Sequence, residues 1–248
     1  MNATAILKEI EEHKIRIAEF RPLSPDLIKQ IREYWRVGLT YTSNAIEGNT
    51  LTETETKVII EDGLTVGGKS LREVFEVVGH SEAMSFLYAC VDKKQVISEE
   101  TTKNLHRCFY HRIDAEQAGV YRKTAVFISG TDFIPPKTEK LADLMHKGCL
   151  NLQKLEDHPT VLAAKWHILI ANIHPFVDGN GRTARLLMNL HLLQQAYPIV
   201  VVPPLLRAKY IQFCGEASKG KDLSFIHFVQ ELTLQAQKDY LRMLETTR

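Results

Sequence analysis

Little in this sequence points to disulfides, metal clusters or membranes. Its four cysteines, Cys90, Cys108, Cys149 and Cys214, are scattered through stretches that read as helical and never form a close pair. Neither a disulfide framework nor a zinc site is expected from them, and they read as buried thiols of a reducing cytoplasm. A basic-then-apolar leader is missing, and the most apolar run, Tyr197 to Leu206, is short and broken by Pro198, Pro203 and Pro204. The expectation is a cytoplasmic protein with no membrane partner. An excess of one charge is missing too: 31 Lys plus Arg stand against 30 Asp plus Glu, so nothing electrostatic indicates nucleic acid. His106 and His111 stand five apart with no third ligand at useful spacing, which rejects a zinc site there. Gly67-Gly68-Lys69-Ser70 lacks the Walker spacing and follows no buried strand, so it reads as a connector and N-cap. Internal repeats and low-complexity linkers are not visible either.

What is present is mostly helix, in a chain of 248 residues whose 44% hydrophobic content suffices for a sizeable core. Ile6, Ile10, Ile15 and Ile17 predict a first amphipathic helix closed by Arg21-Pro22. Ser24 caps a second, with Pro25 at its first position, and this helix runs through Trp35 and Leu39 towards Gly48. Thr52 and Glu55 open a third helix in the manner of a capping box, expected to run towards Glu61. Further helices are expected over Leu71 to about Asp92, from Ser98 through Phe109, over Lys137 to Leu155, Pro159 to Ile173, Arg182 to Gln195, after Pro203-Pro204, and over Asp222 to Leu244. Thr124 to Ile128 is the best strand, followed by a turn at Ser129 to Asp132 and a return at Phe133 to Pro136. The fold class is therefore mainly α with one β-hairpin.

The stretch His174 to Arg185 carries the chemistry. Gly179, Asn180 and Gly181 form a short loop directly before a helix, and the free N–H groups and dipole of a helix start favour an anion. Arg182 and Arg185 lie three apart, on one face at that end, and two guanidiniums suit a polyphosphate. Asp178 is an oxygen ligand where a Mg²⁺ bridging phosphates would sit, and His174, biased away from helical geometry by Pro175, is a candidate general base. Ser218, after the helix containing Arg207 and Tyr210, is a small hydrogen-bonding group near the C-terminal end.

A second stretch, Ser43 to Gly48, ends the second helix with Gly48 as a left-handed terminator. Glu47 is badly placed there, since a carboxylate in the last turn faces the negative end of the dipole, a penalty of about 0.3–1 kcal/mol. A cation from elsewhere would offset it, and the arginines of the loop are available. Ser43, one turn earlier on the same face, is placed to steady the carboxylate.

His174 to Arg185 match, without a gap, the motif His-x-Phe-x-Asp/Glu-Gly-Asn-Gly-Arg-x-x-Arg, and the chain resembles the Fic family from about Ser24 to Leu244. The resemblance implies a Fic-type helical bundle with one β-hairpin flap beside the active site, spanning 1–248 as a single domain. An inhibitory helix region would occupy about 1–50 and a Fic core about 71–218. It implies AMP transfer from ATP to a protein hydroxyl: His174 would take the proton and Asp178 would bind Mg²⁺, or Mn²⁺ in its place. The Gly179-Asn180-Gly181 loop would hold the α-phosphate, with Arg182 and Arg185 on the β- and γ-phosphates. Ser43, Glu47 and Gly48 match the family's inhibitory motif, and Glu47 would pair with Arg185 where the γ-phosphate must go. The flap, at Val126, Phe127, Ile128, Ser129, Gly130, Ile134, Pro135 and Pro136, would lay an unidentified protein target over the α-phosphate by strand addition. Self-modification and a homodimer are further partners compatible with the resemblance, though no interface is legible. Ser218 stands where relatives carry an Asn that recognises adenine, which leaves the base preference open. Three alternatives share the site: removal of AMP from a modified protein, transfer of another nucleotide, and a target-binding module without turnover.

Overall fold

The computed structural model describes residues 3–128 and 133–247. Its helices are α1 (Ala3–Ala18), α2 (Pro25–Ile46), α3 (Glu53–Lys57), α4 (Leu71–Asp92), α5 (Glu99–Tyr110), α6 (Leu141–Gln153), α7 (Pro159–Ile173), α8 (Asn180–Gln194), α9 (Arg207–Ala217) and α10 (Leu223–Glu245). Their starts follow local chemistry. Ser24 Oγ accepts from Leu27 N at 3.2 Å with Pro25 in the first turn, and Thr52/Glu55 and Ser70/Glu73 close reciprocal capping boxes. The third helix departs from expectation: α3 ends at Lys57 and continues as a π-helical turn, Val58–Asp62, stopped by Gly63 at φ 66.

Helix α8 is the axis of the molecule. On one side Leu186, Leu187 and Leu190 pack with Met84 and Leu87 of α4, Leu105 and Phe109 of α5, and Ile170 of α7. On the other, Met188 and Leu192 join Ala163 and Ala164 of α7, Phe225 and Phe228 of α10, and Ile6 and Ile10 of α1. A helix enclosed on all sides needs no polar stripe, and each fully buried leucine contributes about 1.5–3 kcal/mol. The two clusters hold the start of α8, and thus the loop 174–179 that joins it to α7, against rigid neighbours. Among the described residues no helix is long and apolar enough to cross a membrane.

Among the described residues the expected β-hairpin is not formed. Residues 124–128 and 133–136 carry no regular structure, and the expected turn, with Ser129 and Gly130, lies outside the described residues. An isolated two-stranded ribbon is marginal in water without a third strand or a helix to cover one face. Here Phe127 is 91% and Ile134 77% exposed, so the segment buries little, and Pro135 and Pro136 supply no N–H to a ladder. A side chain gathers the two arms instead: Arg122 donates from Nη1 to Thr124 O at 3.0 Å and from Nη2 to Pro136 O at 2.6 Å.

Candidate active site

The loop between α7 and α8 is held from within. The Asn180 side chain donates from Nδ2 to Phe176 O and accepts at Oδ1 from Phe176 N, both at 2.9 Å. That amide is buried with both its polar atoms bonded to the Phe176 backbone, so it serves to hold the loop, and the part expected of Asn180 towards an anion falls to its backbone. Gly179 takes φ 76, and a Cβ there would lie 2.7 Å from the Phe109 ring. It is glycine because of the backbone conformation and the wall behind the loop, rather than the space in front of it.

Space in front matters at Gly181. A Cβ on this residue would lie 2.4 Å from Glu47 Oε1 and 3.2 Å from Arg185 Nη1. A carboxylate from the end of α2 therefore sits directly over the first turn of α8, where the helix dipole favours negative charge. Gly48, at φ 97 just beyond α2, turns the chain away after it.

Arg185 lies beneath that carboxylate and is 1% exposed. It donates from Nη2 to Glu47 Oε1 at 2.7 Å and to Ser43 O at 2.8 Å, from Nε to Ser43 Oγ at 2.9 Å, and from Nη1 to the Tyr210 hydroxyl at 3.0 Å. Ser43 thus steadies the arginine with two oxygens; its expected support of Glu47 is indirect. Burial pushes the Glu47 carboxyl up, but Arg185 and Arg182 outweigh it, and the group lies below the usual carboxylate range. Tyr210 receives a further hydrogen-bond partner in His167 Nε2 at 2.8 Å.

Arg182 turns elsewhere than its sequence partner. Its Nη1 is 3.0 Å from Glu76 Oε1, its Nη2 is 3.4 Å from Asp178 Oδ1, and its guanidinium lies over the Phe109 ring, 4.4 Å from the centroid. Glu76 is itself buried on α4 and also accepts from Asn49 Nδ2 at 2.9 Å. Asp178 accepts at Oδ1 from Gly179 N at 2.6 Å and meets Arg72 Nη2 at Oδ2, also at 2.6 Å.

His174 caps α7 in the left-handed region, φ 50, a strained conformation for a residue with a Cβ. Backbone bonds hold it there: its N donates to Ile170 O at 2.9 Å, and its carbonyl accepts from Arg122 Nε at 2.8 Å. Nδ1 lies 3.3 Å from Ala171 O. A carbonyl can only accept, so this contact places the neutral ring's proton on Nδ1 and leaves Nε2 as the base. Burial lowers the pKa of the ring, against weaker upward pushes from Ala171 O, Glu47 and Asp178.

These groups border a cavity of about 280 Å³. Its lining includes His174, Asp178 and Gly179–Gly181, Glu47 from the end of α2, Phe127, Ile128 and Phe133 from the flap, and Arg207, Tyr210, Cys214 and Ser218 from α9 and its end. Ser218 Oγ donates to Gly215 O at 2.9 Å within its own helix end and retains only acceptor capacity towards the cavity. Val126 is half-buried and Pro135 buried, and neither borders the cavity. Among the described residues no group of three or more His, Cys, Asp or Glu could hold a metal.

Several contributors escaped sequence reasoning. Arg122 ties the flap to the His174 loop, Arg207 borders the cavity and donates to Ile46 O at 2.7 Å, and Arg72 and Glu76 surround Asp178 and Arg182. His106 is fully buried; its Nδ1 accepts from Gly119 N at 2.9 Å, so its Nε2 donates to Asp178 O at 3.0 Å, while its ring stacks on Phe176 with centroids 3.8 Å apart. Desolvation pushes its pKa down to about 4, keeping it neutral. The available signal was the four-residue spacing of Arg72 and Glu76 on one helix face; the others come together only through the fold.

Comparison with known proteins bears on the family and the fold. Residues 96–192 match the family model described as Fic/DOC family. The chain is 37% identical over 204 residues to Protein adenylyltransferase Fic of Drosophila erecta, covering 81% of this chain and 41% of that protein. With the protein of the same name from Drosophila sechellia the identity is 38%, with the same coverage. The chain thus spans about two fifths of the length of these relatives. Among solved structures, a fragment of Fic-1 from C. elegans superposes with a TM-score of 0.84 at 29% identity, over 98% of this chain and 73% of that one. A Fic domain containing signaling protein from Bacteroides thetaiotaomicron gives 0.84 at 25%, over 96% and 98%. Residues 96–192 thus carry the Fic/DOC family match, and the chain has the mainly helical fold of these Fic proteins.

Proposed function

We propose that the chain is an autoinhibited protein adenylyltransferase, which moves AMP from ATP to a Ser, Thr or Tyr hydroxyl of a target protein. The observation that carries this reading is the Glu47 carboxylate over Gly181, paired with Arg185. A helix start and a buried arginine form a seat for an anion, and the chain's own side chain fills it. Phosphates of ATP would have to displace Glu47 to reach the same donors, so the γ-phosphate would sit on Arg185 only after the end of α2 moves.

In the reaction, the acceptor hydroxyl loses its proton to His174 Nε2 as its oxygen attacks the α-phosphorus. The bond to the β-phosphate breaks and pyrophosphate leaves. Charge developing on the α-phosphate is met by backbone N–H groups at Gly179–Gly181, in place before the step begins. Arg182, held by Glu76, contributes positive potential from behind the loop. Asp178 is a half-exposed carboxylate at the cavity edge, and one carboxylate plus phosphate oxygens and water is a donor set that suits Mg²⁺, or Mn²⁺ in its place. Such an ion, when bound, would neutralise charge on the departing phosphates.

The exposed Phe127 and Ile134 of the flap, whose described residues form no strand, suit docking of an extended target segment. Ser218 Oγ, an acceptor facing the cavity, suits the exocyclic amine of adenine. Four free thiols suit a reducing compartment, and we place the protein in the cytoplasm.

Transfer of label from ATP labelled at the α-phosphate tests the reading, with self-modification as readout. Glu47→Gly should incorporate label, the unaltered chain little, and Glu47→Gly with His174→Ala none. Absence of label from every form, with ATP bound, would refute it. A second reading, removal of AMP from a modified protein, is favoured by one observation: Glu47 borders the same cavity as His174 and could orient a water. Release of AMP that is lost in Glu47→Gly would support removal over transfer.

A further inference from the structure

Asp178 already has a cation. Arg72, in the first turn of α4, places Nη2 2.6 Å from Asp178 Oδ2, while Gly179 N and Arg182 Nη2 take Oδ1. The oxygen engaged by Arg72 is the one that backbone and helix leave available, so a divalent cation arriving at Asp178 meets a guanidinium in its place. The two cannot share that oxygen at these distances, because like charges in contact repel.

Arg72 also has somewhere to go. Its Nε lies 3.5 Å from Glu76 Oε1, one turn along the same helix, and its side chain is 56% exposed. By contrast Glu76 is anchored by Arg182 at 3.0 Å and by Asn49, and does not follow. Arg72 can therefore leave Asp178 without losing its only counter-charge and without disturbing a buried pair.

We infer that Arg72 is the exchangeable counter-ion of Asp178, and sets how tightly the nucleotide site takes its divalent cation. This rests on the reading of Asp178 as metal ligand given above, and adds a positioning residue to it. Arg72 guards the carboxylate in the metal-free protein and gives way to the ion. Since the pair is half-exposed, its strength is that of a surface ion pair, which limits the effect on metal-dependent affinity to about two- to fivefold.

The test measures binding of the imido analogue of ATP calorimetrically, once with EDTA and once with saturating Mn²⁺, in full-length Glu47→Gly protein. Adding Arg72→Ala should tighten the Mn²⁺ arm by about two- to fivefold without tightening the EDTA arm. Adding Arg72→Lys, which keeps the charge, should leave both arms near the parent. An Mn²⁺ arm unchanged or weakened by Arg72→Ala, or tightened equally by Arg72→Lys, would overturn the inference. Adding Asp178→Ala should remove most of the difference between arms; persistence of the full difference would overturn the Asp178 assignment itself, a separate failure.

Discussion

Replacing Arg122 by alanine should loosen the flap and the His174 loop together. Arg122 is 3% exposed, its guanidinium donates to three carbonyls, of His174 at 2.8 Å, Thr124 at 3.0 Å and Pro136 at 2.6 Å, and its backbone N–H donates to Pro175 O at 2.9 Å. No carboxylate among the described residues pairs with it, and burial lowers its pKa, so its worth lies in these charge-assisted bonds. Each such bond is worth about 1.5–3 kcal/mol. Thr124 is exposed and Pro136 and His174 are half-buried, so water recovers part of the lost bonding. A net loss of about 2–4 kcal/mol follows, or roughly 5–15 °C in Tm for a chain of this length. Thermal unfolding would measure the stability, and limited proteolysis the release of residues 124–136. Arg122→Lys, able to reach only some of the carbonyls, should fall between. A Tm within about 2 °C of the parent, with the flap still protected, would refute the reasoning.

Three further outcomes are expected. Because the Glu47 carboxyl is lowered in the folded protein, its ionised form adds stability above its ordinary value of 4.5 that is lost as pH falls through the lower folded value. Glu47→Gln should therefore cost about 1 kcal/mol at neutral pH, allowing for a side chain one third exposed, and the gap in Tm between the two proteins should close below pH 4.5. His174 is lowered by burial, and losing Glu47 removes one upward push, so the acid limb of kcat/KM in Glu47→Gly should lie below pH 6.5; a midpoint at or above that value would contradict it. Gly79→Ala would place a Cβ 2.1 Å from Phe109 O; α4 and α5 must part, at a cost of about 1–3 kcal/mol or more, and transfer activity should fall with it because Phe109 walls both Gly179 and Arg182.

The sequence was most legible where local chemistry decides. Ser24, Thr52 and Ser70 mark helix starts through their own side chains, and loop-then-helix at Gly179–Gly181 implies an anion seat without any tertiary information. The dipole argument at Glu47 demanded a cation, and the fold brings Arg185 to it from 138 residues away. Where partners come from several elements the signal fades. Arg182 and Arg185 share a helix face by spacing, yet Glu76 and Phe109 draw one behind the loop while Ser43 and Tyr210 hold the other under Glu47. Thr124 to Ile128 shows the opposite failure: its β-branched and aromatic run reads as a strand, but a strand needs a neighbour, and among the described residues Arg122 links Thr124 to Pro136 by side-chain hydrogen bonds instead. His106 could be excluded as a zinc ligand by spacing, while its part in joining Gly119 to Asp178 could not be seen at all.

The occupancy of the anion seat is best tested by a crystal structure of Glu47→Gly with the imido analogue of ATP, beside the unaltered chain treated identically. The account predicts a γ-phosphate oxygen on Arg185 Nη2 in the variant, taking the place of Glu47 Oε1, with the α-phosphate against the Gly179–Gly181 backbone and open to attack near His174. In the unaltered chain the Glu47–Arg185 pair should persist and the γ-phosphate should lie elsewhere. A γ-phosphate on Arg185 with Glu47 still in place, or the same displaced pose in both proteins, would contradict it.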